Sequence, residues 1–277
     1  MSAWLLLLAA PLLGGLVYGA ERMVRARMQN RQGPPLLQPF YDLFKLADKR
    51  PMVVHSFHAM LGVLHFFAVW FALAILLFGG DILMAVFIHL LASALLITAA
   101  FSAPSVYSQL GGFRELVTVL AYEPIYILAA VGLYLVQGSF MAGSAFSASE
   151  PSLWMLWPLF LALLIVMPAK LKKSPFDVSE AHQELIGGPE IEFSGIFYEA
   201  LYTARWLEYI YAYLFLLLFT GANLWLGAGV VIGVFFLINL VDNATARITY
   251  PQMVRGIYAT ALPLAVGNLL YLSLGGA

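Results

Sequence analysis

The chain is dominated by long apolar runs, each about the length that carries an α-helix through a bilayer. A hydrocarbon core of about 30 Å takes roughly 20 helical residues. Runs of that kind recur at residues 2–20, 59–78, 82–101, 116–136, 153–171, 196–219, 224–241 and 254–274. A backbone in lipid has to satisfy its own hydrogen bonds, so each run is read as a helix and not as an open strand. Of 277 residues, 62% are apolar and 10% charged, and the mean hydropathy is +0.88. Those values exclude an ordinary soluble domain. The expected fold is an all-α integral membrane protein, one membrane domain over residues 1–277, with about eight transmembrane helices and a short amphipathic interfacial helix. No basic residue precedes the first run, which argues against a cleaved secretory signal and makes it the first span.

The charges give the orientation. Of the 14 Lys and Arg, all but Arg205 fall in segments that this span count puts on one side: 21–58, 102–115, 170–195 and 242–255. Basic residues are retained in the cytoplasm, so the large loops at about 21–58 and 172–195 are expected there, with both termini outside the cell inner (cytoplasmic) membrane. In the first loop, residues 36–50 set Phe40, Leu43, Phe44 and Leu46 at helical spacing, with Asp42, Lys45, Asp48 and Lys49 between them. That is the pattern of a helix lying in the membrane interface. The absence of cysteine excludes a disulfide, an iron–sulfur cluster or a thiolate-held metal in this chain. Nothing resembles a nucleotide loop, a hydrolase nucleophile, a zinc ligand set or a nucleic-acid surface. His55, His58, His65 and His89 lack ligand spacing and are read as core or interfacial groups.

The acids carry the chemistry. Asp177, Glu180, Glu184, Glu190 and Glu192 crowd into one loop behind Lys170, Lys172 and Lys173. Carboxylates gathered in a low-dielectric pocket do not all stay ionised, so such a cluster takes up protons near neutral pH. Glu180 and Glu184, four apart, would share a helix face, either as a relay or as a solvated acidic face. Glu115, Glu123, Glu199, Arg205, Glu208 and Asp242 lie in or at the ends of spans. A charge at the bilayer centre costs several kcal/mol and usually faces protein or a water-filled cavity, so these mark a candidate ion pathway. Pro124 frees a backbone carbonyl beside Glu123, giving a polar niche. Arg205 and Glu208, three apart, are placed to neutralise each other. Arg114 and Glu115 are read at a cytoplasmic helix end, as an interfacial pair or part of the pathway.

Two strings carry a family resemblance. Glu21-Arg22, followed by Ala26-Arg27-Met28-Gln29-Asn30-Arg31-Gln32-Gly33-Pro34-Pro35-Leu36-Leu37-Gln38-Pro39, resembles the stretch after the first span in the complex I subunit 1 family. Its MQNRQGPP form looks more like the membrane subunit of group 4 energy-converting (Ech-type) nickel–iron hydrogenases. Residues 175–195, PFDVSEAHQELIGGPEIEFSG, are similar to the family's PFDxxEAEQELxxGxxxEYSG loop, with His182 where complex I usually has an acid. Tyr122-Glu123, Glu208-Tyr209 and the stretch from Asp242 to Pro251 resemble further family elements, although Glu208-Tyr209 sits further from the loop than in complex I.

The resemblance implies a non-catalytic core subunit that anchors a soluble arm and couples electron transfer to proton or sodium translocation. It implies ion-path roles for Glu115, Glu123, Asp177, Glu180, Glu184, Glu190, Glu192, Glu199, Arg205, Glu208 and Asp242. Arg25, Arg27, Arg31, Gln32, Gln38, Asp42 and Lys45 become the docking candidates. No cofactor is expected in this chain. A nickel–iron centre and iron–sulfur clusters are expected in hydrogenase-like large and small subunits and an iron–sulfur subunit, beside an antiporter-like membrane subunit in the same bilayer. A quinone-binding complex I subunit, an autonomous secondary transporter and a passive anchor remain open as alternatives.

Overall fold

The structure, a computed structural model, describes residues 3–275; the side chain of His182, the position at which the loop departs from complex I, lies outside the described residues. In chain order the helices are α1 (Ala3–Met28), α2 (Gln38–Ala47), α3 (Ser56–Leu77), α4 (Ile82–Ser102), α5 (Val106–Gln137), α6 (Ala142–Ser147), α7 (Trp157–Lys170), α8 (His182–Leu185), α9 (Gly195–Leu217), α10 (Leu224–Ala244) and α11 (Tyr250–Ser273). Each expected span coincides with a helix, and α2 is the expected amphipathic one. By length and composition α1, α3, α4, α5, α10 and α11 suffice to cross a bilayer. At 14 residues α7 is shorter, and a 3-10 turn, Ser152–Trp154, lies just before it. With 23 residues α9 is long enough, but Glu199, Arg205 and Glu208 interrupt its apolarity.

Two boundaries differ from the sequence expectation. α1 continues from the expected residue 20 to Met28, so Glu21, Arg22, Arg25 and Arg27 ride on the helix instead of opening the loop. α5 begins at Val106, well before residue 116, and this puts Glu115 inside a helix. Both extensions are helical but polar or glycine-containing, and a search for apolar runs stops at the edge of the oil, not at the edge of the helix.

Apolar burial drives little association among lipid tails; close packing does more. Small residues accordingly fill the helix contacts: Ala72, Ala85, Ala92, Ala121, Ala129, Ala162, Ala204 and Ala212 are buried, whereas Leu5, Phe71, Phe236 and Leu240 point outward. α3 and α4 form a hairpin across Gly79-Gly80-Asp81. Gly79 takes a φ of +73°, and Asp81 caps α4 by accepting the Met84 N–H at 2.8 Å. α9 packs on α1 and α3, and α5 on α4, α7 and α11, so α5 and α9 run through the interior. α2 is held to α9 by Phe40, whose ring meets Trp206 edge-on at 5.2 Å.

Candidate functional site

Residues 171–194 do not stand out into water as a solvated acidic loop. They fold back over α4 and α5 and reach α9 through Arg205. The approach is close because Gly111 has no side chain: a Cβ there would stand 2.5 Å from the Gly188 carbonyl carbon. Folded in this way, the loop's acids meet cations. Glu180 lies 2.9 Å from Lys172 and 2.8 Å from Arg205, Arg205 donates to Glu190 at 2.9 Å, and Lys172 lies 3.5 Å from Glu115. The result is a connected row, Glu115, Lys172, Glu180, Arg205 and Glu190. Burial disfavours the Lys172 ammonium, but the facing carboxylates of Glu115, Glu180, Glu190 and Glu208 outweigh it and hold its pKa above the ordinary lysine value.

This geometry corrects two expectations. Arg205 does not neutralise Glu208, because the loop sets two other carboxylates on its guanidinium. Nor do Glu180 and Glu184 share a helix face, because α8 begins only at His182. Glu184 instead reaches Arg114 at 2.6 Å and Arg247 at 3.8 Å. Arg114 and Glu115 likewise point to different partners. Arg247, in the connection from α10 to α11, grips Asp177 with a two-pronged bond of 2.8 and 2.6 Å. That bond holds its pKa above the usual arginine value.

A second set of charges surrounds Glu21, which is buried against Lys173 and Arg25. Arg25 continues to Asp242 at 2.7 Å, and Asp242 accepts the Ser174 N–H at 3.0 Å. Among the docking candidates, Arg25 is therefore turned inward, and Gln38 donates to Asp42, which pairs with Arg22 at 3.0 Å. Arg27, Arg31, Gln32 and Lys45 are exposed. Glu192 and Glu199 are half-buried, and neither takes part in an ion pair among the described residues.

From the loop the polar groups continue inward. A cavity of about 40 Å³, lined by Tyr18, Lys172, Glu180, Arg205, Glu208 and Tyr209 among others, has room for water and joins the outer row to Glu208. Oε1 of Glu208 lies 3.8 Å from Nε2 of His89. Lys170 Nζ lies within 3.0 Å of both His89 ring nitrogens and donates to the Tyr122 hydroxyl at 3.3 Å. Glu123, 5% exposed, follows Tyr122 on α5. One oxygen of Glu115 and the hydroxyl of Tyr211 are buried with no protein hydrogen-bond partner, as expected where solvent or a transferred proton completes the bonding.

Sequence reasoning passes over His89, Lys170 and Glu21. By spacing alone His89 falls among the structural histidines, and Lys170 and Glu21 look like loop-edge charges; yet an ionisable group inside a span is itself the signal. Chemically the arrangement alternates acids, bases and phenols at short range, which suits stepwise transfer of charge. A separate cavity of about 390 Å³ between α2 and the loop, lined by Lys49, Glu180, Ile186, Phe193, Tyr198 and Arg205 among others, opens beside the outer row. Among the described residues no group of three His, Asp or Glu is placed to hold a metal ion.

The family described as NADH dehydrogenase matches residues 1–273. The NADH-ubiquinone oxidoreductase chain 1 of Branchiostoma lanceolatum is 31% identical, over 90% of this chain and 87% of that one. An NADH-quinone oxidoreductase subunit of Cereibacter sphaeroides is 30% identical, over 96% of this chain and 93% of that one. Among solved structures, a chain of the membrane-bound sulfane sulfur reductase, an archaeal respiratory membrane complex, superposes with a TM-score of 0.88 over 98% of each chain at 23% identity, a likeness of fold.

Proposed function

The chain belongs to the NADH dehydrogenase family, and on that premise we propose that it is the core membrane subunit of a redox-driven ion pump, which anchors a soluble catalytic arm and passes redox energy to ion movement. The observation that carries this is the succession of ionisable groups from Glu190 in the loop, through Arg205, Glu180 and Lys172, and across the small cavity to Glu208, His89 and Lys170 in the interior. A change of charge at the loop surface alters the pairing of Glu190 and Glu180 with Arg205. Because low dielectric lets a displaced charge act strongly on its neighbours, that change is felt along the row. Asp177 and Asp242, each locked to an arginine, hold the loop in place, and Glu123, buried on α5, adds its charge to the field at Lys170.

The basic-residue asymmetry supports large loops in the cytoplasm, termini outside, and the cell inner membrane as the site. The soluble arm docks on the exposed Arg27, Arg31, Gln32 and Lys45. The MQNRQGPP string favours a hydrogenase-like arm, with the nickel–iron centre and iron–sulfur clusters in the partner subunits and an antiporter-like subunit alongside in the bilayer. A quinone-linked arm is the second reading, favoured by the cavity beside Tyr198 and Phe193 and by the names of the relatives. Purification of the assembled complex separates the two: nickel in a soluble partner supports the first, and bound quinone without nickel the second.

The coupling role is tested in proteoliposomes carrying the whole complex. Glu123→Gln is expected to keep the redox reaction running while ion movement falls at least tenfold. Undiminished ion movement in that variant would reduce the chain to a membrane anchor. Solute or cation flux through the purified single chain would instead identify an autonomous transporter.

A further inference from the structure

Lys170 is the least expected group in the interior: a lysine, 4% exposed, at the end of α7. An ammonium is retained in such a place only with partners, and its nearest partner is a base. Nζ lies 2.8 Å from Nδ1 and 3.0 Å from Nε2 of His89 on α4, so whichever ring nitrogen lacks a proton accepts from it. The rings of Tyr122, Tyr126 and Tyr211 surround the ammonium, with centroids at 4.8, 5.8 and 5.9 Å. Tyr211 also packs on the His89 ring at 4.6 Å. Glu208 approaches Nε2 of His89 from α9, while Glu123 and Glu115 on α5 add their charges to the field at Lys170.

Resting on the coupling role proposed above, we infer that Lys170 and His89 share and relay one proton, and that the ion passing through this chain is a proton and not a metal cation. Two nitrogen bases this close in low dielectric do not both carry their extra proton, because like charges suppress one another. The pair therefore holds one positive charge. When the proton leaves Lys170 Nζ for His89, a neutral amine and an imidazolium result. Glu208 stabilises the imidazolium and takes the proton onward, and the amine is recharged from the Tyr122 and Glu123 side. A sodium ion finds no comparable site, since a hard cation requires a shell of oxygen ligands, and here the Tyr122 hydroxyl and the Glu208 carboxylate face two nitrogens that hold a standing positive charge.

The test uses the whole complex in proteoliposomes, with redox turnover, proton uptake by a pH dye and radioactive sodium uptake measured together. Lys170→Arg keeps the positive charge but does not release a proton, and His89→Gln keeps hydrogen bonding but cannot be charged. Both are expected to retain assembly and redox turnover while proton uptake falls at least tenfold. A purely structural role predicts full pumping in Lys170→Arg. The unmutated complex is expected to take up protons at the same rate with and without sodium. Pumping by Lys170→Arg at the unmutated rate, or no proton uptake by the unmutated complex without sodium, overturns the inference. Redox turnover with no ion movement at all in the unmutated complex would instead defeat the coupling role itself.

Discussion

Residues 29–55 and 171–194 are both polar connections between apolar helices, rich in charge and punctuated by proline and glycine. In the first, Arg27 at the helix end, Arg31, Gln32 and Lys45 remain in the open, where a partner can reach them. In the second, Glu180 and Glu190 are turned into the protein and bound to Arg205. The difference is one of counter-charge. The interior holds Arg205 in the middle of α9, and Lys172 and Lys173 at the loop's own start turn in beside the acids, so the acids that follow are drawn inward, whereas a basic segment finds fewer partners there. Polarity alone does not distinguish a docking surface from a conduit; what faces the segment does.

Removing the counter-charge is the hardest blow to that contrast. Arg205→Leu leaves Glu190 buried without the arginine it is bonded to and takes from Glu180 one of its two cations, and is expected to destabilise the complex by about 3 kcal/mol, read as a lowered thermal midpoint and protease cleavage within residues 171–194. An unchanged midpoint would mean that the inner loop is no better anchored than the outer one. Next in size is Gly111→Ala, which pushes the Gly188 backbone off α5 and is expected to cost about 1–3 kcal/mol. Its signature is loss of ion movement at near-normal redox turnover.

A smaller effect is expected at the loop's outer clasp. A double-mutant cycle with Asp177→Ala and Arg247→Ala should give a coupling of about 1 kcal/mol, since the pair is partly exposed. It should weaken with added salt, and a coupling that ignored salt would place the clasp in the interior. Smallest is Arg31→Ala with Lys45→Ala in the outer segment, expected to change stability by no more than about 0.5 kcal/mol. Association with the soluble arm should nonetheless slow and become less salt-dependent. Unaltered association kinetics would remove this segment from the docking surface.

Much of the fold was legible. The apolar runs located every long helix, and helical spacing from Phe40 to Leu46 located α2. What was missed lies at helix ends, where Glu21 and Glu115 sit on polar turns that hydropathy does not mark as helix. The acids of the 177–192 cluster were legible as a cluster, but their partners were not. Arg205 and Glu208 are neighbours in sequence and on the helix, yet Arg205 is taken by a loop 15 and 25 residues away. His89 and Lys170, 81 residues apart, meet only because α4 and α7 both pack around α5.

The sequence by itself determined the solvent, the helices and the inventory of charges, because insertion into lipid depends on the summed hydropathy of each local run. Only the tertiary structure decided which carboxylate faces which cation, which docking candidates stay exposed, and that a lysine and a histidine meet in the protein interior. Electrostatic energy depends on distance and dielectric, and neither is set until the helices have packed.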